Sequence, residues 1–242
     1  MPDTLKIRAP HVKMIAHRGL SGLEKENSAA AFVAAGNRPY YGIETDVHRT
    51  ADGQFIIIHD DTTRRVALDD LTVENSTYET LRSLRLCDKD GKRGRKDLLL
   101  PSLAEYVQIC KKYEKICVLE LKNPMRPQDI DRIITVVREE EWLQHTIFIS
   151  FDLPNMIHVR ETLPDQKAQY LIEGNPDWPA VLDALNRYSL DLDINYKLLT
   201  QERIDDVHKA GKEVNVWTVN QLEDAERLAA WGVDYITTNI IE

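Results

Sequence analysis

Short apolar runs alternate with amphipathic stretches through most of the chain, and the two kinds keep different periods. Nine runs carry the strand pattern: VKMIAH (12–17), YGIETDV (41–47), FIIIHD (55–60), ICVLELK (116–122), TIFISF (146–151), AQYLIE (168–173), LDLDINY (190–196), EVNVWTV (213–219) and DYITTN (234–239). Segments such as NSAAAFVAAGN, PSLAEYVQICKKY, QDIDRIITVVREEEW, QERIDDVHKAG and QLEDAERLAAWG keep helical spacing. The last two end in the glycine that commonly follows a helix C-terminus. Strand–helix alternation implies parallel βαβ units, and this many repeats in 242 residues favour a closed (β/α)8 TIM barrel over an open sheet. The expected organisation is one α/β domain over 1–242, with residues 61–100 as a small excursion at the barrel mouth after strand 3.

Two irregularities qualify this pattern. Nine candidates exceed the eight a barrel needs, so at least one is an extension. The connection from Val47 to Phe55 is too short for a helix, and Asp52-Gly53 is a tight-turn signal. An extended excursion is expected there if both strands run parallel. The polar runs DDTTRR and CDKDGKRGRKD mark the 61–100 departure.

The strand YGIETDV poses the chemical question. Side chains alternate with period two, so Glu44, Asp46 and His48 share one face of a half-buried strand. Like charges placed side by side repel, and burying them unpaired costs several kcal/mol or forces protonation. A cation, a basic partner or water must compensate. The ends of neighbouring strands carry more ionisable groups: His17-Arg18 after the first, His59 after the third, and Glu120 with Lys122 on one face of the fourth. In a barrel these positions gather at one rim.

Glu44, Asp46 and Glu120 form a hard oxygen-donor set suited to Mg²⁺ or Ca²⁺. His17 and His59 can act as acid and base near neutral pH. Arg18 offers a planar donor fork and Lys122 a compact charge, and both suit phosphate. Together they describe a site for a phosphate ester. Each element alone has a plainer reading. A lone ExD is more often a solvated face or a salt bridge, and a lone histidine after an apolar run is usually a satisfied core or rim residue. His48 lies farther out and is read as a rim residue. His11, His145, His158, His208 and Arg126 get a structural reading. Joint occurrence at successive strand ends lifts the rest.

The bulk numbers narrow the partners. The net charge of −9 argues against a nucleic-acid backbone as partner and gives no sign of a basic membrane-binding surface. No stretch approaches the length of a membrane span, and the first residues lack the apolar core of a leader. Cys87, Cys110 and Cys117 show no metal-ligand spacing. The expectation is a cytoplasmic chain with reduced thiols, acting on a small molecule and not stably inserted in a membrane. The oligomeric state is left open.

IAHRG (15–19), ENS (26–28), GIETDV (42–47), DGQFIIIHD (52–60), LPSLAEYV (100–107), LELK (119–122), VNVWTVN (214–220) and GVDYITTN (232–239) resemble the glycerophosphodiester phosphodiesterases. The similarity runs in order from about residue 14 to the end, and HRG, ExD, HD and ExK together are specific to that family and its close relatives. It implies a (β/α)8 barrel that hydrolyses glycerophosphodiesters to glycerol 3-phosphate and an alcohol with a divalent metal. It implies Glu44, Asp46 and Glu120 as metal ligands, His17 and His59 as the acid–base pair, Arg18 and Lys122 as phosphate contacts, and Trp217 beside the substrate. Glu26 and Asn27 match the family's PENT and are expected to support the histidine and the metal.

The chain departs from the family in places. Lys25 and Ser28 replace the Pro and Thr of PENT, which should leave the helix start intact because Ser also caps. Asn239 and Ile240 stand where the family commonly has Asp and Pro, which bears on the usual head-group preference. Two other readings compete: a phospholipase C-like or sphingomyelinase D-like lipid phosphodiesterase, and a non-catalytic barrel that binds phosphoesters. The missing leader and apolar docking surface weigh against the first, and the presence of both histidines against the second.

Overall fold

The computed structural model describes residues 3–242. Its strands are β1 (Lys13–Ala16), β2 (Gly42–Arg49), β3 (Phe55–Ile57), β4 (Ile116–Leu121), β5 (Thr146–Ser150), β6 (Ala168–Ile172), β7 (Asp191–Asn195), β8 (Val214–Trp217) and β9 (Tyr235–Thr238). The helices are α1 (Ala29–Gly36), α2 (Tyr78–Ser83), α3 (Leu103–Lys112), α4 (Pro127–Glu139), α5 (Leu153–Thr162), α6 (Trp178–Tyr188), α7 (Gln201–Lys209) and α8 (Leu222–Trp231).

Eight strands pair in parallel in the order β1-β9-β8-β7-β6-β5-β4-β2, and β1 pairs with β2 to close the ring. This is a TIM barrel. β3 corrects the sequence reading. FIIIHD is not the third barrel strand: β3 lies outside the ring and pairs antiparallel with β2, Val47 opposite Ile57 and Arg49 opposite Phe55. The connection is a tight hairpin and not an extended excursion between parallel strands. Gly53 takes φ +76, and Thr50 N–H donates to the Gln54 carbonyl at 2.9 Å. A short link holding an Asp-Gly turn satisfies its backbone at once by folding back on the same strand.

Alternation along the strands sorts the apolar residues into two cores. One, between ring and helices, includes Ile43, Val47, Leu119, Phe148 and Val216 with Phe32, Ile133 and Leu228. The other fills the ring with Ile15, Val118, Ile147, Ile149, Leu171 and Tyr235. Among these, Asn215 donates to Gln169 at 3.0 Å and accepts from Thr237 at 3.2 Å inside the ring. Residues 61–100 gather a third cluster, with Val66, Val73, Leu81, Leu86 and Leu98 packed on Ile56 and Ile58.

Local signals start the helices where capping residues stand. Ser28 accepts from Ala31 N–H at 3.2 Å at the head of α1, as expected of a Ser in place of Thr. Ser102 and Glu105 form a reciprocal box at the head of α3. The glycine of HRG has a steric reason. Gly19 takes φ +73, and a Cβ there would fall 2.7 Å from the Ala31 carbonyl carbon and its Cβ. Gly19→Ala is expected to cost about 2–4 kcal/mol, the sum of a left-handed backbone and an overpacked contact, read as a lower denaturation midpoint at constant slope.

Candidate active site

At the C-terminal rim of the barrel lies a cavity of about 300 Å³ lined by His17, Arg18, Glu44, His59, Glu120, Lys122 and Trp217. A larger one, about 440 Å³, opens at the opposite rim beside Tyr41, Thr146 and Lys167. It gathers no comparable set of ionisable groups; those line the smaller.

The three carboxylates meet as the strand register demands. Asp46 lies opposite Glu120 across the β2–β4 pair, and Glu44 lies one pleat below Asp46. Each offers one oxygen, and these oxygens lie within 4.8 Å of one another. All three side chains are buried. Basic groups offset part of this charge. The Arg18 backbone N–H donates to Glu44 at 2.8 Å, the Arg18 guanidinium lies 3.6 Å from Asp46, and Lys122 lies 2.8 Å from Glu120 and 3.7 Å from Asp46.

The compensation is incomplete. Burial and the Asp46 charge push Glu44 well above the usual carboxylate range and Glu120 up to about 8. Burial works against the Asp46 charge as well, but Arg18 and Lys122 hold its carboxyl below the usual range. Asp46 Oδ1 is buried with no hydrogen-bond partner. A converging, oxygen-only set with an orphaned buried oxygen is compatible with a divalent cation.

Asn27 fixes Asp46 from behind, its Nδ2 donating to Asp46 Oδ2 at 2.7 Å while its Oδ1 accepts from Thr45 at 2.7 Å. Both Asn27 and Arg18 hold left-handed backbone, φ 50 and 54, which is uncommon outside glycine. Glu26 bonds Arg18 at 2.9 Å, so it serves the guanidinium and not a histidine directly. Trp217 stands edge-on to Phe151 with ring centroids 5.6 Å apart.

The imidazoles are held from outside the cavity. His59 Nδ1 lies 2.6 Å from Asp60 Oδ1, and His17 Nδ1 lies 2.7 Å from Asn239 Oδ1. Burial, reinforced by the Arg18 charge, lowers His17 to about 4, and burial lowers His59 as well. Asn239 therefore touches His17, and its departure from the family pattern bears on that imidazole. His48 is also placed differently from the sequence reading. It is fully buried against the segment that follows β3, Nε2 at 3.3 Å from the His59 carbonyl and Nδ1 at 3.5 Å from Glu74, and is not a rim residue. Asp60 and Asn239 were within reach of the sequence, since HD and TTN are part of the resemblance, but their partners only become visible once the strand ends meet.

Residues 17–242 match the glycerophosphoryl diester phosphodiesterase family model. A glycerophosphodiester phosphodiesterase of Caldanaerobacter subterraneus subsp. tengcongensis is 29% identical over 228 residues, covering 93% of each chain. One from Bacillus subtilis is 25% identical over 242 residues, covering 93% of this chain and 82% of its own. Among solved structures, a phosphodiesterase of Oleispira antarctica in complex with the product sn-glycerol-3-phosphate superposes with a TM-score of 0.86 at 25% identity, over 94% of this chain and 92% of its own. No helix among the described residues is long and apolar enough to cross a membrane. The chain belongs to the glycerophosphoryl diester phosphodiesterase family.

Proposed function

We propose that the protein hydrolyses glycerophosphodiesters to glycerol 3-phosphate and an alcohol, with Glu44, Asp46 and Glu120 holding Mg²⁺ or Ca²⁺ and His17 and His59 moving protons. The observation that carries this is the meeting, in one cavity, of a buried oxygen triad with two imidazoles. The product-bound structure of the Oleispira relative supports the substrate class. A cation held by Glu44, Asp46 and Glu120 would supply positive charge to offset that of the phosphoryl group.

Arg18 and Lys122 contact the phosphate, the first as a planar fork and the second as a point charge. Trp217, backed by Phe151, gives the substrate an apolar wall. Glycerol places a hydroxyl beside the phosphoester. One imidazole deprotonates that hydroxyl, which attacks phosphorus in line and forms a cyclic phosphate, and the other protonates the departing alcohol oxygen. Water then opens the ring with the imidazoles in exchanged roles. Attack by a neighbouring hydroxyl is favoured because its effective molarity can reach about 10⁵ M or more. A substrate analogue with hydrogen in place of that hydroxyl should turn over far more slowly. Comparable turnover would make water the direct nucleophile.

Lys122→Met is expected to lower kcat by roughly 10²–10³ with a smaller change in KM, because its charge matters most as negative charge builds on the equatorial oxygens. Steady-state kinetics decide this, and an effect confined to KM would mean uniform ground-state binding. Arg18→Lys should also be harmful, since an ammonium cannot replace a planar fork.

A further inference from the structure

Arg65 belongs to the polar run that follows His59 and does not line the cavity. Its guanidinium nonetheless makes four hydrogen bonds, two to each of two carboxylates. Nε donates to Asp60 Oδ2 at 2.6 Å and Nη2 to Asp60 Oδ1 at 3.0 Å. Nη1 donates to Glu26 Oε2 at 2.6 Å and Nη2 to Glu26 Oε1 at 2.9 Å. Both carboxylates are already engaged with the site. Asp60 Oδ1 also meets His59 Nδ1, and Glu26 Oε1 accepts from Arg18 Nη1. One continuous chain of contacts thus runs Arg18–Glu26–Arg65–Asp60–His59. It joins the loop after β1 to the loop after β3, which are separate in sequence.

We propose that Arg65 is a positioning residue for the hydrolysis, clamping Glu26 and Asp60 so that Arg18 and the His59 imidazole keep their orientation towards the phosphate. The proposal rests on the hydrolytic reading above. An exposed ion pair alone would contribute little, and the Arg65 side chain is 44% exposed. The difference lies in what the two carboxylates hold. A carboxylate fixed in plane by a bidentate fork has a fixed lone pair for the imidazole Nδ1, which leaves Nε2 as the nitrogen free to face the cavity. The same fork keeps Glu26 ionised for Arg18: burial opposes its charge, yet Arg65 and Arg18 hold it down to about 2. Hydrogen bonds from Arg65 likewise hold Asp60 down to about 2. Only a planar group with N–H bonds on both edges can grip two carboxylates in this way. A lysine at the same position supplies charge without the geometry.

The test uses the full chain with Mg²⁺ or Ca²⁺ and glycerophosphocholine. Arg65→Ala and Arg65→Lys are each expected to lower kcat by roughly 10–100-fold, the usual cost of losing a residue that orients a catalytic group. KM should change far less. Affinity for the cation, read by titration calorimetry, should stay near wild type, because Arg65 touches none of Glu44, Asp46 or Glu120. Methylguanidinium in the tens of millimolar range should restore part of the kcat of Arg65→Ala, and methylammonium should not. Adding Asp60→Asn to Arg65→Ala should cost less than it does in the wild type, since the two act through one contact. A kcat close to wild type in Arg65→Lys overturns the proposal. So does a loss of kcat accompanied by parallel losses of thermal midpoint and cation affinity without rescue, which marks a folding role. An inactive wild type contradicts the hydrolytic reading itself, and an active wild type with an active Arg65→Lys contradicts only this clamp.

Discussion

Replacing His17 or His59 with alanine is expected to lower kcat by roughly 10²–10⁴ in each case, the range for a positioned proton carrier. The two should be strongly non-additive, because the double variant loses a relay that either single variant has already broken. The expectation follows from placement. Both rings line the same cavity, and each has Nδ1 occupied outside it, at Asn239 for His17 and at Asp60 for His59. That leaves one nitrogen of each ring for the substrate. With one group needed protonated and the other not, kcat against pH should be bell-shaped, its limbs belonging to the pair and not to either residue. Single-turnover and steady-state measurements on both variants check this. Near wild-type kcat in one of them would return that histidine to a structural role.

Glu44→Gln is expected to weaken divalent-cation binding by well over tenfold. The cause is electrostatic as much as geometric. Glu44 sits beside Asp46 and Glu120 with its carboxyl pushed above the usual range by burial and by the Asp46 charge. That unfavourable charge density is what a cation relieves. Removing one carboxylate lowers the repulsion in the free protein and the attraction for the ion together. Without added cation, therefore, Glu44→Gln should be at least as stable as wild type, while in saturating cation the wild type should gain more. Thermal midpoints with and without added cation, beside calorimetric titration, test both halves. An equal rise in midpoint on adding saturating cation to the two proteins would place the ion elsewhere.

The barrel was legible in the sequence because its signals are local. Each parallel strand is a short apolar run between helical segments, and eight of the nine runs became ring strands. The exception is instructive. FIIIHD has the apolar run of a ring strand, and a run alone does not encode direction. The direction was written in the Asp52-Gly53 turn, which favours a hairpin. The site's ionisable residues were legible for the same reason as the strands: ExD and ExK expose period two, and His17 and Glu120 stand at strand ends where a barrel collects its chemistry.

Contacts between distant segments were not legible. His48 alternates with Asp46 and so looked like a rim group, but the segment after β3 packs on it through His59 and Glu74. Asn239 and His17 are 222 residues apart and meet only because β9 closes the ring against β1. Arg65 sits in a polar run without periodicity, and nothing in that run shows that its fork spans two loops.

The central claim is cation-dependent cleavage of a glycerophosphodiester by this triad and this pair of histidines. Phosphorus NMR of glycerophosphocholine incubated with the full chain tests it most directly. With Mg²⁺ or Ca²⁺ present, the diester resonance should give way to glycerol 3-phosphate. Excess chelator should stop the conversion, and re-added cation should restore it. Full conversion in excess chelator, or a product other than glycerol 3-phosphate, would contradict the account.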